Sequence, residues 1–372
     1  MSKLYPVGVQ NFEKVILGGY EYVDKTALIY QLFNTGSYYF LSRPRRFGKS
    51  LLLSTLEAYA QGKKELFKGL ALEKLEKDWT VYPVLHLDLN TQKYDTPESL
   101  TSILNDNLCI WESQYGARES ETSLSLRFQG IIRRACEQTG RRVVILIDEY
   151  DKPMLQAIGN EALQNEYRST LKAFYGALKS MDGCIRFALL TGVTKFGKVS
   201  VFSDLNNLRD ISMIDQYAEI CGISEKEIYT YFEEDIHELA AATGMSYEEA
   251  CAELKTNYDG YHFTENAIGM YNPFSLLNTF ANRRFGSYWF ETGTPTYLVE
   301  LLKLHHYPIE ELEHIVTSQP VLDSIDTAST DPIPVIYQSG YLTIKGYNKM
   351  FENYTLGFPN REVEQGFFKF LL

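Results

Sequence analysis

Eight consecutive residues, Arg43-Pro44-Arg45-Arg46-Phe47-Gly48-Lys49-Ser50, have the chemistry to hold a phosphate group. They lie between a short apolar run, Tyr38 to Leu41, that predicts a strand and a stretch, SLLLSTLEAYA, that predicts a helix. At such a junction free backbone N–H groups face an anion, the lysine reaches the outer phosphates, and the serine hydroxyl meets Mg²⁺. The full phosphate-loop pattern also asks for glycine at position 43, where this chain has Arg43, so the loop is a degenerate Walker A motif. Taken alone, Gly48-Lys49-Ser50 reads equally well as an ordinary helix start.

A second feature shifts that balance. Val143 to Ile147 is a continuous aliphatic run, as in a strand buried on both faces of a parallel sheet, and it ends in Asp148 and Glu149. In P-loop ATPases the first such carboxylate lies beside the magnesium and the second polarises the attacking water. The strand delivers both acids to the carboxyl edge of the sheet, where the phosphate loop also opens. The order of loop, helix, extra strand (Val81 to Leu89) and acid-ended strand is the layout of the additional-strand, catalytic-Glu class. A further strand, Ile185 to Leu190, runs into Thr191, where such ATPases carry a polar sensor; by itself that threonine is an ordinary strand cap. Guanine selection lacks its Asn-Lys-x-Asp loop, because Asn348-Lys349 is followed by Met350 and Phe351.

Other chemistries find little support. The cysteines at 109, 136, 184, 221 and 251 are scattered singly, without zinc or disulfide spacing, and read as reduced thiols. His305-His306 lacks an acidic partner at ligand spacing and reads as an exposed helix end. No nucleophile elbow and no dinucleotide fingerprint occur. Arg133-Arg134 with Arg141-Arg142 forms a small basic cluster, better read as a solvated helix end than as a nucleic-acid contact.

The elements that must position these residues alternate strand and helix as far as about residue 215, with a plausible fifth strand at Leu208 to Met213, predicting α/β with a mostly parallel sheet. Helices then dominate. Ser224 with Glu227 and Ser246 with Glu249 form capping boxes, and Asn272-Pro273 marks a third start. Residues 331–358 return to short strands, as in a winged-helix module. The chain has 372 residues with 45% hydrophobic side chains, enough for two or three domains. Its net charge of −12 disfavours general binding to nucleic acid or anionic membrane. Residues 216–260 hold eleven acidic and two basic side chains, so most of that charge belongs to a solvated helical face. No aliphatic run approaches the ~20 residues needed to cross a bilayer, and no secretory leader is evident, so a cytoplasmic location is expected.

The strings RPRRFGKSLLLSTL, LIDEYDKP, LLTGVTKF, LNNLRDIS, YDGYHF, YNPFSLLN, ETGTPTYL and YQSGYLTI resemble the bacterial AAA-ATPase-like family, from about Tyr5 to about Gly366. The resemblance accommodates Arg43 in place of the first loop glycine. It implies an AAA-like P-loop core over 1–215, a helical lid over 216–325 and a winged-helix-like module over 326–372. It places ATP on Arg45, Arg46, Phe47, Gly48, Lys49, Ser50 and Leu51, Mg²⁺ at Ser50 and Asp148, Glu149 as base and Thr191 as sensor. Arg45 and Arg46 face the phosphates, solvent or a neighbouring subunit on this reading, and Lys195 and Arg209 are candidates for an arginine-finger role or, more readily, for surface ion pairs. YDGYHF and ETGTPTYL read as packing of the lid on the core. Family members commonly carry a PD-(D/E)XK nuclease-like domain, expected here beyond residue 372, since EVEQGFFKFLL reads as an uncapped apolar helix start. The resulting expectation is Mg²⁺-dependent ATP hydrolysis driving or gating that effector. A nucleotide-dependent switch without turnover is the alternative. Nucleic acid would be met only through the further domain, no membrane partner is expected, and self-association stays open.

Overall fold

The computed structural model describes residues 3–195, 201–202, 205, 207–266, 268–292, 312, 314–323 and 331–371. Five parallel strands form the central sheet: β1 (Tyr38–Ser42), β2 (Val84–Asp88), β3 (Val143–Asp148), β4 (Ile185–Gly192) and β5 (Arg209–Asp210), in the order β2-β3-β4-β1-β5. The register pairs Tyr38 with Ala188 and Ser42 with Gly192, and Asp88 with Asp148. All strands point the same way, so the ends of β1, β3 and β4 meet at one edge. Every residue of β3 is buried, which explains why its sequence is an unbroken aliphatic run rather than an alternating one. Strand β2 alternates half-buried and buried residues, because it lies at the edge of the sheet.

Helix α1 (Phe12–Leu17) and α2 (Thr26–Thr35) precede β1, and α3 (Lys49–Ala60) follows it. Helix α3 packs against β2, β3 and β4. After α4 (Ala71–Leu75), the long helices α5 (Pro97–Tyr115), α6 (Leu124–Thr139) and α8 (Glu161–Ser180) pack on one another, with α7 (Lys152–Gln156) preceding α8. Trp111, Phe128 and Phe174 form the stack between them, the last two with ring centroids 4.4 Å apart. The expected fifth strand, Leu208 to Met213, is shorter than its apolar pattern implied: only Arg209 and Asp210 pair with β1.

Beyond residue 220 a second apolar core forms. Ile228, Ile236, Leu254, Tyr258, Leu276 and Phe280 come from the helices Glu225–Tyr231, Glu233–Thr243, Tyr247–Tyr258 and Pro273–Asn282, and Phe232 from the junction of the first two. Both serine capping boxes are formed, and the Asn272 side chain accepts from Phe274 and Ser275. A three-stranded antiparallel sheet follows, with β8 (Ile315–Ser318), β9 (Thr343–Asn348) and β10 (Asn353–Gly357) in the order β8-β10-β9. The short pair β6 (Ile223–Ser224) and β7 (Met270–Tyr271) lies at the entry to the second core. The helix Arg361–Leu371 is capped, contrary to the sequence reading: the Asn360 side chain accepts the Val363 N–H at 3.1 Å. The string EVEQGFFKFLL begins one residue inside the helix, at Glu362, and so leaves its cap out. Among the described residues no helix is long and apolar enough to cross a membrane.

Glu362 fastens this last helix. Its carboxylate is buried and accepts from the Ser275 hydroxyl at 2.8 and 3.0 Å and from the Trp289 N–H at 2.8 Å. Burial is the main cause that pushes its pKa up to about 7, against the pull of those donors. A carboxyl with a raised folded pKa binds its proton more tightly when folded. Its contribution to stability is complete below the ordinary value of 4.5 and is lost as pH rises through about 7. Glu362→Gln should therefore flatten the fall in thermal midpoint between pH 5 and 8, removing a difference on the order of 1 kcal/mol or more. Calorimetric melts of both proteins across that range check it.

Candidate functional site

Strand β1 ends at Ser42 and the chain turns through Arg43–Gly48 before α3 begins. Gly48 has φ +94°, with open space where a Cβ would stand, so glycine is required here by backbone conformation and not by crowding. Lys49 is almost wholly buried, and its Nζ donates to the carbonyls of Arg43 and Pro44 at 3.0 and 3.3 Å. The same nitrogen lies 3.2 Å from Glu149 Oε1.

The sheet edge brings three other candidates together on one carboxylate. Asp148, 3% exposed, accepts the Ser50 hydroxyl on Oδ2 at 2.5 Å and the Thr191 hydroxyl on Oδ1 at 2.6 Å. Its Oδ1 also takes the Glu149 N–H at 3.1 Å. Glu149 itself adopts φ +53°, a left-handed conformation that costs a non-glycine residue of order 1 kcal/mol or more. That turn directs the chain off the strand and sets the Glu149 carboxylate beside Lys49. In the neighbouring strand Asp88 stands in register with Asp148, and burial, then the Asp148 charge, raises its pKa. A paired hydroxyl and carboxylate supply oxygen donors of the kind Mg²⁺ takes. No cluster of three or more His, Cys, Asp or Glu suited to a metal occurs among the described residues.

The loop's arginines divide into two kinds. Arg43 is 2% exposed and donates to the carbonyls of Ser42, Ser212 and Tyr217 at 2.9, 2.8 and 3.2 Å, with its guanidinium 4.0 Å from the Phe263 ring centroid. Burial pushes its pKa down. The residue that breaks the general phosphate-loop pattern is therefore an internal brace between β1 and the segment after β5. Arg45 and Arg46 border the cavity beside the loop, the first 5.8 Å from the Trp289 ring and the second 4.9 Å from the Phe274 ring. Trp289 also donates its indole N–H to the Arg45 carbonyl at 3.0 Å. Phe47 faces away from the cavity, packed edge-on against Tyr261 and Phe263, with its carbonyl accepting the Gly222 N–H at 3.1 Å. That contact is the role of YDGYHF: it seats the following module on the phosphate loop.

Lys195 is not at the surface. It is buried between Asp210, at 3.0 Å, and Asp323, while its N–H donates to Gln338 Oε1 at 2.5 Å. Arg209 is exposed. Arg134 leaves the basic cluster inferred from sequence, because it is buried in a two-point contact with Glu121. His305, His306 and most of ETGTPTYL lie outside the described residues.

Sequence reasoning missed the walls. A cavity of about 840 Å³ opens over Lys49, Ser50 and Glu149 and is bounded by Pro6–Gln10, by Lys152 and Leu155, and by Pro273, Phe274 and Leu277. A smaller apolar pocket of about 90 Å³ adjoins it, sharing Pro6, Gly48, Leu51, Pro273 and Leu277 and adding Val23, Ile29, Ile220 and Ile223. Segments far apart in the chain, from Pro6, Glu21–Ile29, Ile220–Ile223 and Pro273–Leu277, close this pocket against the phosphate loop.

A parallel sheet whose neighbouring strand ends present a glycine-lysine-serine helix start, an Asp-Glu pair and a threonine defines a P-loop α/β protein. The family model described as "Predicted AAA-ATPase" matches residues 6–202. An uncharacterised protein in the vnfD 5′ region of Azotobacter chroococcum mcd 1 is 38% identical over 366 residues, covering 97% of this chain and 68% of that protein. The chain belongs to the AAA-ATPase-like family, which supports nucleotide binding in general. A solved structure of the Aeropyrum pernix ORC2 protein in ADPNP-ADP complexes covers 93% of both chains at 10% identity, with a TM-score of 0.33.

Restoring the general motif should damage this protein. Arg43→Gly would leave the Ser212 carbonyl without its donor, leave the Tyr217 carbonyl with the Ile220 N–H alone, and open a void beside Phe263. We expect a loss of about 3 kcal/mol in stability, read from denaturant unfolding.

Proposed function

We propose that this chain binds ATP with Mg²⁺ and hydrolyses it, and that the cycle drives or gates an effector joined to its C-terminal side. The single observation that carries the reading is the hydrogen-bonded assembly of Ser50, Asp148 and Thr191, with Lys49 and Glu149 paired beside it over one cavity. Residues 1–215 would form the ATPase core, 216–325 the lid and 326–372 a winged-helix-like module.

The nucleobase fits the apolar pocket walled by Pro6, Val23, Leu51, Ile223 and Leu277, with the phosphates running past Gly48 toward Lys49. Backbone N–H groups at the start of α3 face the phosphate oxygens, and the Lys49 ammonium neutralises them. Phe47 contributes through its backbone, since its ring is buried. Arg45 and Arg46 add positive charge at the cavity rim. Ser50 and Asp148 would hold Mg²⁺, which supplies charge neutralisation to the phosphate oxygens when bound. Glu149 accepts a proton from water aligned with the terminal phosphate, and Thr191 reads that phosphate from the next strand.

One contact favours a second reading, a switch without turnover. Glu149 is held against Lys49, so the base is neutralised until that pair opens. Calorimetry and phosphate release separate the two. Lys49→Ala should weaken ATP binding by roughly 100-fold or more, and unchanged affinity would overturn both readings. Glu149→Gln should keep or tighten ATP affinity, since it frees Lys49, while phosphate release falls roughly 100-fold. Equal, slow release from wild type and Glu149→Gln would establish the switch.

A further inference from the structure

The ladder between β3 and β4 runs out at the site itself. Its last in-register pair is Ile147 with Leu190, yet Glu149 and Thr191 lie just beyond it. Past that point Asp151 and Tyr150 take over. Asp151 is fully buried; its Oδ2 accepts the Thr194 N–H at 2.6 Å and the Thr194 hydroxyl at 2.7 Å, and its Oδ1 accepts the Val193 N–H at 3.3 Å. Tyr150 donates its N–H to the Thr191 carbonyl and its hydroxyl to the Thr194 carbonyl, both at 3.0 Å. Gly192 lies flat against this pair: a Cβ there would stand 2.5 Å from Asp151 Oδ1 and 2.7 Å from the Tyr150 ring.

A carboxylate buried this deeply costs several kcal/mol in desolvation, and an apolar residue of similar size would serve plain packing better. Burial, and next the Glu149 charge, push the Asp151 pKa up to about 7, against the pull of the two Thr194 donors and the Lys49 charge. The feature that repays the cost is directional. Only a two-oxygen acceptor can grip successive N–H groups of the strand that follows Thr191, and it does so from the turn that carries Glu149.

We propose that Asp151 is a positioning residue that fixes the Thr191 hydroxyl and the Glu149 carboxylate relative to each other by clamping Gly192–Thr194 onto the Glu149 turn. It is fully buried and does not border the cavity over Lys49. The assignment rests on the reading that Glu149 and Thr191 act on the terminal phosphate, and its test is built to stand apart from that reading.

The test compares wild type, Asp151→Asn, which keeps one acceptor oxygen, and Thr194→Val, which removes one donor. Amide hydrogen exchange, ATP affinity and phosphate release are measured on the whole chain, with melts confirming folding. Exchange across 191–195 should rise about tenfold in Asp151→Asn and less in Thr194→Val, with α3 unaffected. ATP affinity should stay within about threefold, while kcat falls at least about tenfold at unchanged KM, because a sub-ångström misplacement acts on the chemical step. Unchanged exchange at 191–195 in folded Asp151→Asn, or unchanged kcat, would overturn the assignment. If wild type releases no phosphate, the hydrolysis reading fails on its own. The exchange measurement then still decides: a non-hydrolysable ATP analogue should protect 191–195 in wild type and not in Asp151→Asn, and equal protection in both overturns the clamp.

Discussion

Two hydroxyls converging on one buried carboxylate set the geometry of this molecule. Asp148 is nearly sealed from solvent, so both of its oxygens need donors, and the donors come from different elements: Ser50 from the helix after β1 and Thr191 from the end of β4. That requirement forces β1, β3 and β4 to end level with one another. The register agrees, with Ser42 opposite Gly192 and Asp148 one step past the last β3–β4 pair. Loss of either hydroxyl would leave a lone pair facing apolar surroundings, at a cost of about 1–3 kcal/mol.

The segments after residue 220 complete the site from behind and above. Gly222 and Phe47 share a backbone hydrogen bond, Trp289 donates to Arg45, and Gly340 lies against Pro44, where a Cβ would come within 2.6 Å of the ring. The phosphate loop is therefore gripped on its outer side by three separate stretches of later sequence. Lys49 holds the loop's own backbone from within through the Arg43 and Pro44 carbonyls, and Arg43 ties the loop to the Ser212 and Tyr217 carbonyls. A loop rigid in this way presents its N–H groups without first having to be ordered, which lowers the entropic cost of taking up an anion.

The strand-ended motifs were legible because each depends on local pattern. An aliphatic run ending in Asp148-Glu149 reports its own burial, and Gly48-Lys49-Ser50 reports a helix start, so the sheet and the meeting of Lys49, Ser50, Asp148, Glu149 and Thr191 followed from topology. Helix caps at Ser224, Ser246 and Asn272 were legible for the same reason. Three things were not. Arg43 looked like a departure from a motif, because its carbonyl partners at 212 and 217 are remote in sequence. Lys195 looked like a surface charge, because Asp323 lies 128 residues away. The cavity wall at Pro6–Gln10 carries no pattern of its own, and Pro273–Leu277 reads in sequence only as a helix start. Long-range pairing, rather than weak propensity, is what a single sequence withholds.

Lys195 carries a last consequence. One ammonium group, four residues past Thr191, is shared between an aspartate of the central sheet and an aspartate of the later helix Gln319–Asp323, and the adjoining N–H is bound by Gln338. A charge lost at either aspartate leaves the buried Lys195 ammonium short of a partner, so compensating changes are favoured together. The two halves of the protein are thus obliged to be inherited as a matched pair. Exchanging the C-terminal portion between relatives would fail at this junction unless the lysine and both carboxylates travelled with it, whatever the similarity of the rest.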